Sequence, residues 1–341
     1  MQRVLVGLSG GMDSAVAVRL LQERGYAVEG AVLRMHSFTE IDAAQACADA
    51  LKIPLHVIDC EDRFKQTVIA DFLEAYRCGE TPNPCIVCNA AVKFRVLWET
   101  AKAFGFDKIA TGHYAGVREV DGRYAVCMAK DASKDQSYML YRLDQDILKD
   151  LILPLEEYKK EDLRGEAAQI SAELSKRPES QEICFIRGEK YTDYIERHSG
   201  AFLPGEFVDE EGKVLGTHRG IGYYTVGQRK GLGVPAATRL FVKRIDVPAN
   251  RIVLSPVKAS REARFLIKDI VWQGAHDIAS PGECDIMLRY RAPLSKGTLL
   301  ESGNACSVVM KAPCATVTPG QSAVIYRDGA ILLGGIISME K

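Results

Sequence analysis

Residues 4–14, Val-Leu-Val-Gly-Leu-Ser-Gly-Gly-Met-Asp-Ser, carry the first chemistry in the chain. A short apolar run enters a loop of small residues, and residues 12–24 follow with helical spacing. Strand, tight turn and helix in that order gather Gly7, Leu8, Ser9, Gly10, Gly11, Met12, Asp13 and Ser14 around a helix N-terminus. The glycines let the backbone approach a ligand closely, and the helix offers its unpaired N–H groups and positive dipole end. Ser9 and Ser14 add hydroxyl donors, and Asp13 can hold a metal ion. A phosphate group suits such a nest. The loop lacks the Lys-Ser/Thr pair of a Walker P-loop and the G-x-G-x-x-G of a dinucleotide site. The plain alternative is a glycine turn with no ligand.

A second constellation is Thr-Pro-Asn-Pro-Cys-Ile-Val-Cys-Asn at 81–89. Two prolines hold this loop extended, and Asn89 is expected to cap the next helix. Cys88 would then sit at a helix N-terminus, where a thiol pKa falls and the thiolate nucleophile is favoured. Cys184 follows far along the chain, within Glu-Ile-Cys-Phe at 182–185. Three chemistries compete. A zinc knuckle on Cys85 and Cys88 would need Cys78 or Cys184 to complete it. Cys88 and Cys184 could act as resolving thiol and persulfide carrier. Cys85, Cys88 and Cys184 could hold an iron–sulfur cluster with one iron position open. The remaining Cys47, Cys60, Cys127, Cys284, Cys306 and Cys314 lie among apolar residues and are expected in cores.

The elements that must position these groups are legible as alternation. Strands are expected at 4–7, 27–33, 55–59 and 108–111, and helices at 12–24, 42–51, 64–76 and 90–104. This is the pattern of a parallel α/β sheet covered by helices, which binds ligands at the carboxyl ends of its strands. Asp121-Gly122 marks a hairpin between 116–120 and 123–128. Helical pattern returns over 137–169. Glycines are dense between 198 and 233, and residues 265–339 read as short strands broken by turns. The expected architecture is an α/β nucleotide-binding catalytic domain (1–197), a small central domain (198–262) and a C-terminal β-barrel (263–341).

The 341 residues are 47% apolar and 26% charged, an ordinary globular composition. No apolar run is long enough to cross a bilayer, and no secretory leader pattern opens the chain. The expectation is a cytoplasmic protein with no membrane partner, whose cysteines are thiols or ligands and not a disulfide framework. Net charge is only −1, but residues 213–251 hold eight Lys/Arg against one acid, Asp246. An acidic first half joined to a basic middle suggests a polyanion partner, against the alternative of a solvated basic face.

The 7–14 loop resembles the S-G-G-x-D-S loop of ATP-pyrophosphatases, which cleave ATP between the α and β phosphates. With the cysteine segment, Thr-Gly-His-Tyr-Ala at 111–115, Lys-Asp-Gln-Ser-Tyr at 134–138, Glu-Ile-Cys-Phe-Ile at 182–186, Gly-Thr-His-Arg-Gly at 216–220, Tyr-Thr-Val-Gly-Gln-Arg-Lys-Gly-Leu-Gly at 224–233, Arg-Tyr-Arg at 289–291 and Pro-Gly-Gln at 319–321, the chain resembles the tRNA-specific 2-thiouridylase family nearly end to end. The resemblance implies a tRNA-uridine 2-sulfurtransferase. ATP and Mg²⁺ would bind at residues 7–14, with Met35 and Gly112 bordering the nucleotide. The O2 of the wobble uridine (U34) would be adenylated. A persulfide on Cys184 would deliver sulfur, with Cys88 as nucleophile and a transient Cys88–Cys184 disulfide. Asn83, Pro84 and Cys85 would face the target base. His113, Lys134, Asp135, Gln136, Arg289, Tyr290 and Gln321 would contact tRNA of the glutamate, glutamine and lysine types. A sulfur-relay protein or cysteine desulfurase would supply the sulfur.

One position departs from the family. Many members carry aspartate where this chain has Cys85, and a thiol cannot accept hydrogen bonds or carry charge as a carboxylate does. The change creates Cys85-x-x-Cys88, which with Cys184 resembles the three-cysteine sites of other tRNA thiolases. The same reaction on a [4Fe–4S] cluster is therefore an alternative to the persulfide route. Outside this class, a ligase or amidotransferase built on the same loop, acting on a small molecule, would need no paired cysteines. A catalytically inactive RNA-binding relative would not need the intact loop.

Overall fold

The computed structural model describes residues 1–171, 174, 183–256, 264–275, 282–302, 305–312 and 317–338. Its first sheet contains β1 (Arg3–Gly7), β2 (Ala27–Arg34), β3 (Leu55–Asp59), β4 (Lys108–Thr111) and a short β7 (Leu151–Ile152), all parallel, in the order β3-β2-β1-β4-β7. Side chains alternate across a strand. Val4 and Val6 of β1 accordingly pack with Ala15, Val18 and Leu21 of α1 (Met12–Glu23) and with Cys47 and Ala48 of α2 (Ile41–Leu51). Leu5 faces the other way, onto Phe94, Leu97 and Ala101. The order reverses at β1, whose neighbours are β2 and β4, so the loop after β1 opens at the switch point of the sheet.

Two expected helices prove longer and irregular. Residues 61–77 form one helical run of α3 (Glu61–Phe64), a π turn (Lys65–Ile69) and α4 (Ala70–Arg77). Residues 84–103 form another, of α5 (Pro84–Cys88), a π turn (Asn89–Lys93) and α6 (Phe94–Ala103). The expected helical stretch 137–169 breaks into a 3₁₀ turn (Ser137–Leu140), α7 (Gln145–Asp150), β7 and α8 (Leu163–Ile170). The apolar run Leu151-Ile152-Leu153 pairs with β4 and ends at Pro154, which cannot continue a helix. After α9 (Tyr191–Ser199), four strands form a second sheet in the order β10-β11-β8-β9: β8 (Gly205–Val208), β9 (Val214–His218), β10 (Phe241–Asp246) and β11 (Arg251–Ser255).

The third sheet closes. β12 (Arg264–Trp272), β13 (Glu283–Met287), β14 (Ser295–Ser302), β15 (Ala305–Met310), β16 (Ser322–Arg327) and β17 (Ala330–Ser338) run β12-β15-β14-β13-β16-β17, and β17 pairs back with β12. The hairpin of β5 (Gly116–Val120) and β6 (Arg123–Cys127), early in the chain, extends this sheet through Ala330 opposite Cys127. The fully buried Gln273 fixes the junction: its Nε2 donates to Leu140 O, Tyr141 O and Leu143 O at 3.0, 3.0 and 3.2 Å, and its Oε1 accepts from Val126 N at 3.0 Å. Among the described residues no helix is long and apolar enough to cross a membrane.

Candidate active site

The loop after β1 is held by groups that could not be larger. Leu8 is buried as an anchor and its N–H donates to Ala31 O at 2.8 Å. Gly10 has φ +74°, and a Cβ there would stand 2.6 Å from the Ala43 carbonyl carbon in α2. Gly11 is the extended N-cap of α1 and gives it no side-chain cap. The first N–H groups of α1 thus face the loop without intrahelical acceptors. Ser14 Oγ donates to Gly11 O at 3.0 Å and lies 3.2 Å from Ser9 Oγ, so both hydroxyls line one rim. Gly112, just past β4, closes the other side: a Cβ there would meet the carbonyl carbon of Asp13 and the nitrogen of Ser14 at 2.6 Å.

Asp13, in the first turn of α1, is already engaged. Its Oδ1 accepts from the Tyr114 hydroxyl at 3.0 Å, and its Oδ2 pairs with Lys160 Nζ at 2.8 Å. The Lys160 side chain is 12% exposed and its ammonium lies 5.7 Å from the centroid of the Tyr114 ring. Sequence reasoning missed both partners. Lys160 stands in a Lys-Lys-Glu-Asp run that reads as solvated surface, 147 positions from Asp13.

Met35, just past β2, meets the cysteines. Its N–H donates to Thr39 Oγ1 at 3.2 Å, and the Cys88 thiol donates to its Sδ at 3.7 Å. Two expectations here are corrected. Asn83, not Asn89, caps the helix, accepting from Cys85 N at 3.2 Å with Pro84 in the first turn. Asn89 is buried inside the helical run, donating to Met139 O at 3.1 Å while its Oδ1 has no partner. Cys88 therefore closes α5 in mid-run and is not at a helix N-terminus. Burial pushes its thiol up to about 12, against the pull of the Lys93 ammonium and with added repulsion from Cys184 and Cys85. The resting thiol is protonated and shielded, the reverse of the activated state expected.

Cys184 is exposed in a turn, and the residues after it pin it down. Phe185 and Ile186 are buried, with the Phe185 ring 5.5, 5.4 and 5.5 Å from Phe64, Phe72 and Tyr194. Burial of the sulfur raises the Cys184 thiol; Lys93 opposes the rise and Cys85 adds to it. Cys85 is exposed, and like Cys88 and Cys184 it is a free thiol. The predicted trio is thus brought together, in mutual electrostatic reach across about a hundred residues of chain. Among the described residues, however, no three His, Cys, Asp or Glu side chains are gathered as a metal-binding group. One thiol of the trio is sealed against a thioether and the other two are exposed, so the donor set does not fit a [4Fe–4S] cluster in this arrangement. Nor does the engaged carboxylate of Asp13 form a ready cation site.

The residues expected to meet RNA divide into two groups. Arg289 is exposed, and Tyr290 and Lys134 are half-buried at the surface. Asp135, by contrast, is 7% exposed and accepts from Ala129 N at 2.8 Å and Ser137 Oγ at 2.7 Å. Its carboxylate is engaged inside the protein, between the Ala129 N–H and the Ser137 hydroxyl. Gln136 Oε1 accepts from Tyr114 N at 2.9 Å, and Gln321 Nε2 donates to Thr81 O at 2.7 Å, tying the barrel to the cysteine loop. The His113 ring is pushed down to about 3 by burial, helped by the Lys93 ammonium, and its Nδ1 lies 2.8 Å from Thr111 Oγ1. His113 is half-buried, and its neutral imidazole offers a hydrogen-bonding edge and not a positive charge.

In the basic middle segment, Lys243, Arg244 and Arg251 are paired with Glu210, Asp246 and Glu206. Arg229 and Arg239, which carry no ion pair among the described residues, line a hollow of about 280 Å³. That leaves a smaller set of cations for a polyanion than the sequence count suggested.

A glycine-rich loop before a helix N-terminus at the switch point of a parallel sheet, followed along the chain by two β-rich units, defines an ATP-using enzyme of the HUP class. Residues 2–188 match the family described as the tRNA methyl transferase HUP domain, residues 192–256 the tRNA methyl transferase PRC-barrel domain, and residues 262–337 the aminomethyltransferase beta-barrel domain. A tRNA-specific 2-thiouridylase of Clostridium perfringens is 38% identical over 98% of this chain and 98% of its own. One of Picosynechococcus is 40% identical over 99% and 98%. The chain belongs to the tRNA-specific 2-thiouridylase family. Among solved structures, a 4-thiouridine synthetase–RNA complex with bound ATP shares 18% identity over 57% of this chain and 50% of that one, with a TM-score of 0.36.

Proposed function

We propose that this protein converts the wobble uridine (U34) of glutamate, glutamine and lysine tRNAs to 2-thiouridine at the expense of ATP, and that it works in the cytoplasm. The observation that carries the reading is the Cys88 thiol 3.7 Å from Met35 Sδ, because Met35 follows β2, the strand paired with the β1 that leads into the 7–14 loop. ATP enters with its Mg²⁺ as substrate, its phosphates on the backbone and hydroxyls of the loop at the start of α1. The uridine O2 attacks the α-phosphorus and pyrophosphate leaves. A pyrimidine carbonyl oxygen leaves poorly until it is phosphorylated, so this step makes AMP the leaving group. The outer sulfur of a Cys184 persulfide attacks C2 and expels AMP. The Cys88 thiol then attacks the Cys184 sulfur and gives up its proton, forming a Cys88–Cys184 disulfide, and the departing 2-thiouridine anion takes up a proton. A dithiol resets the pair, and a sulfur-relay protein or cysteine desulfurase recharges Cys184.

Asn83 and Pro84, which fix the start of α5, face the target base, with Cys85 in place of the family's aspartate. The base must leave its stack to reach them. Arg229, Lys230, Arg239, Lys134, Arg289 and Tyr290 hold the tRNA, so affinity falls as salt rises. The persulfide route is favoured over a cluster because the three thiols are not gathered as ligands. A small-molecule ligase would have no use for the thiol pair.

The test is bulk tRNA from a strain lacking the gene, run on a mercury-containing gel that retards thiolated species. Restoration by the intact gene and not by a Cys184→Ser variant that still binds tRNA is the expected result. Unchanged thiolation after deletion would overturn the reading, and iron with acid-labile sulfide in anaerobically purified, active protein would replace the persulfide route with the cluster.

A further inference from the structure

The π turn Asn89–Lys93 directly follows Cys88 and is closed by the Phe94 N–H donating to Asn89 O, five residues back. In an α-helix, five residues carry a side chain roughly 140° past a full turn. Widening the turn to an i→i+5 bond returns Lys93 toward the side of the helix that Cys88 occupies. Such π turns recur at functional sites, which makes the groups this one brings together worth identifying.

Lys93 is half-buried and has no hydrogen bond or ion pair among the described residues. Its ammonium lies within electrostatic reach of Cys88, Cys184 and His113. The other cation near Cys184, Arg187, already has Glu40 at 3.5 Å and lies over the Phe38 ring. A partly buried cation without an anion is costly unless something else supplies the charge. The reaction supplies it, because each sulfur step begins from an anion.

Building on the function proposed above, we infer that Lys93 is the positioning residue for sulfur transfer, its ammonium set by the π turn to hold the anionic sulfur of the Cys184 persulfide and then of Cys88. The persulfide anion forms the C–S bond as AMP departs, and the Cys88 thiolate forms the S–S bond as the 2-thiouridine sulfur departs. The cysteine pair is oxidised to a disulfide, the sulfane sulfur is reduced to the level of the thiocarbonyl, and the departing 2-thiouridine anion balances the proton that Cys88 gives up. Lys93 steadies charge at sulfur and has no part in the adenylation.

The test separates the two half-reactions in Lys93→Met, Lys93→Gln and Lys93→Arg. Adenylation is followed by tRNA-dependent pyrophosphate release from ATP, and sulfur transfer by single-turnover formation of 2-thiouridine on enzyme precharged with polysulfide. Pyrophosphate release within twofold of wild type, with sulfur transfer about 100-fold slower in the Met and Gln variants and recovered to within tenfold by Arg, is expected. Equal loss of both half-reactions, or sulfur transfer within threefold of wild type in either neutral variant, would overturn the assignment. If the wild-type chain makes no 2-thiouridine at all, the proposed function fails and not this residue's role within it. Either neutral variant suffices should the other not fold.

Discussion

Replacing Gly112 with alanine tests whether the loop position carries the activity. The added Cβ would stand 2.6 Å from the carbonyl carbon of Asp13 and the nitrogen of Ser14. Carbon atoms in comfortable contact lie about 3.5 Å apart, so the loop and β4 must separate by about 1 Å. Both atoms are backbone, which leaves no side chain to swing aside. Overpacking of this kind costs about 1–3 kcal/mol of stability, and a misplacement of about 1 Å at a reacting centre costs about 100-fold in rate. The strain falls on the first turn of α1, where the proposed function puts the phosphates, so kcat/KM for ATP should drop about 100-fold while tRNA affinity stays within twofold. The assay is pyrophosphate release at varied ATP, with a urea melt to place the stability loss. Gly165→Ala is the internal control. That glycine lies in α8 with nothing within 4 Å of an added Cβ and no positive φ, so alanine should leave activity unchanged and add up to about 1 kcal/mol of stability. Wild-type kcat/KM in folded Gly112→Ala would refute the claim that this contact sets the loop.

Gln273→Leu should cost about 3–5 kcal/mol in denaturant unfolding, because it strands the Val126 N–H and three carbonyls that one buried amide now serves; a loss below about 1 kcal/mol would show that the junction is not fixed there. His113 gives a pH dependence of definite sign. Its folded pKa, about 3, lies below the ordinary histidine value, so between about pH 6.5 and 3 the unfolded chain binds the extra proton. Stability is fully present above that window and falls by up to about 1.4 kcal/mol per unit as pH drops through it. His113→Gln should flatten the slope measured by urea melts between pH 6.5 and 5; an unaltered slope would mean the ring is not held neutral by burial.

The parallel sheet was legible because its strands are short apolar runs separated by helical spacing, and residues 55–59 and 108–111 form strands with the expected bounds. The loop at 7–14 was legible because glycine at 10 and the small residues around it leave few other conformations. The π turns were not. An inserted residue changes which face Lys93 occupies without changing any residue type, so periodicity reads straight through it. The state of Cys88 was misread for the same reason: Asn83 and Asn89 are equally good caps on paper, and only packing decides which one begins the helix.

By itself, then, the sequence determined the local matters: the glycine loop, the thiols, the order of strands and helices, and the family. Tertiary structure decided which distant groups share a dielectric environment. It buried Cys88 against Met35, closed Asp13 between Tyr114 and Lys160, drew the Asp135 carboxylate inside, and carried an early hairpin into the sheet of the C-terminal barrel. Burial and pairing depend on contacts between residues as far as 240 positions apart, and no local pattern of residue types encodes them.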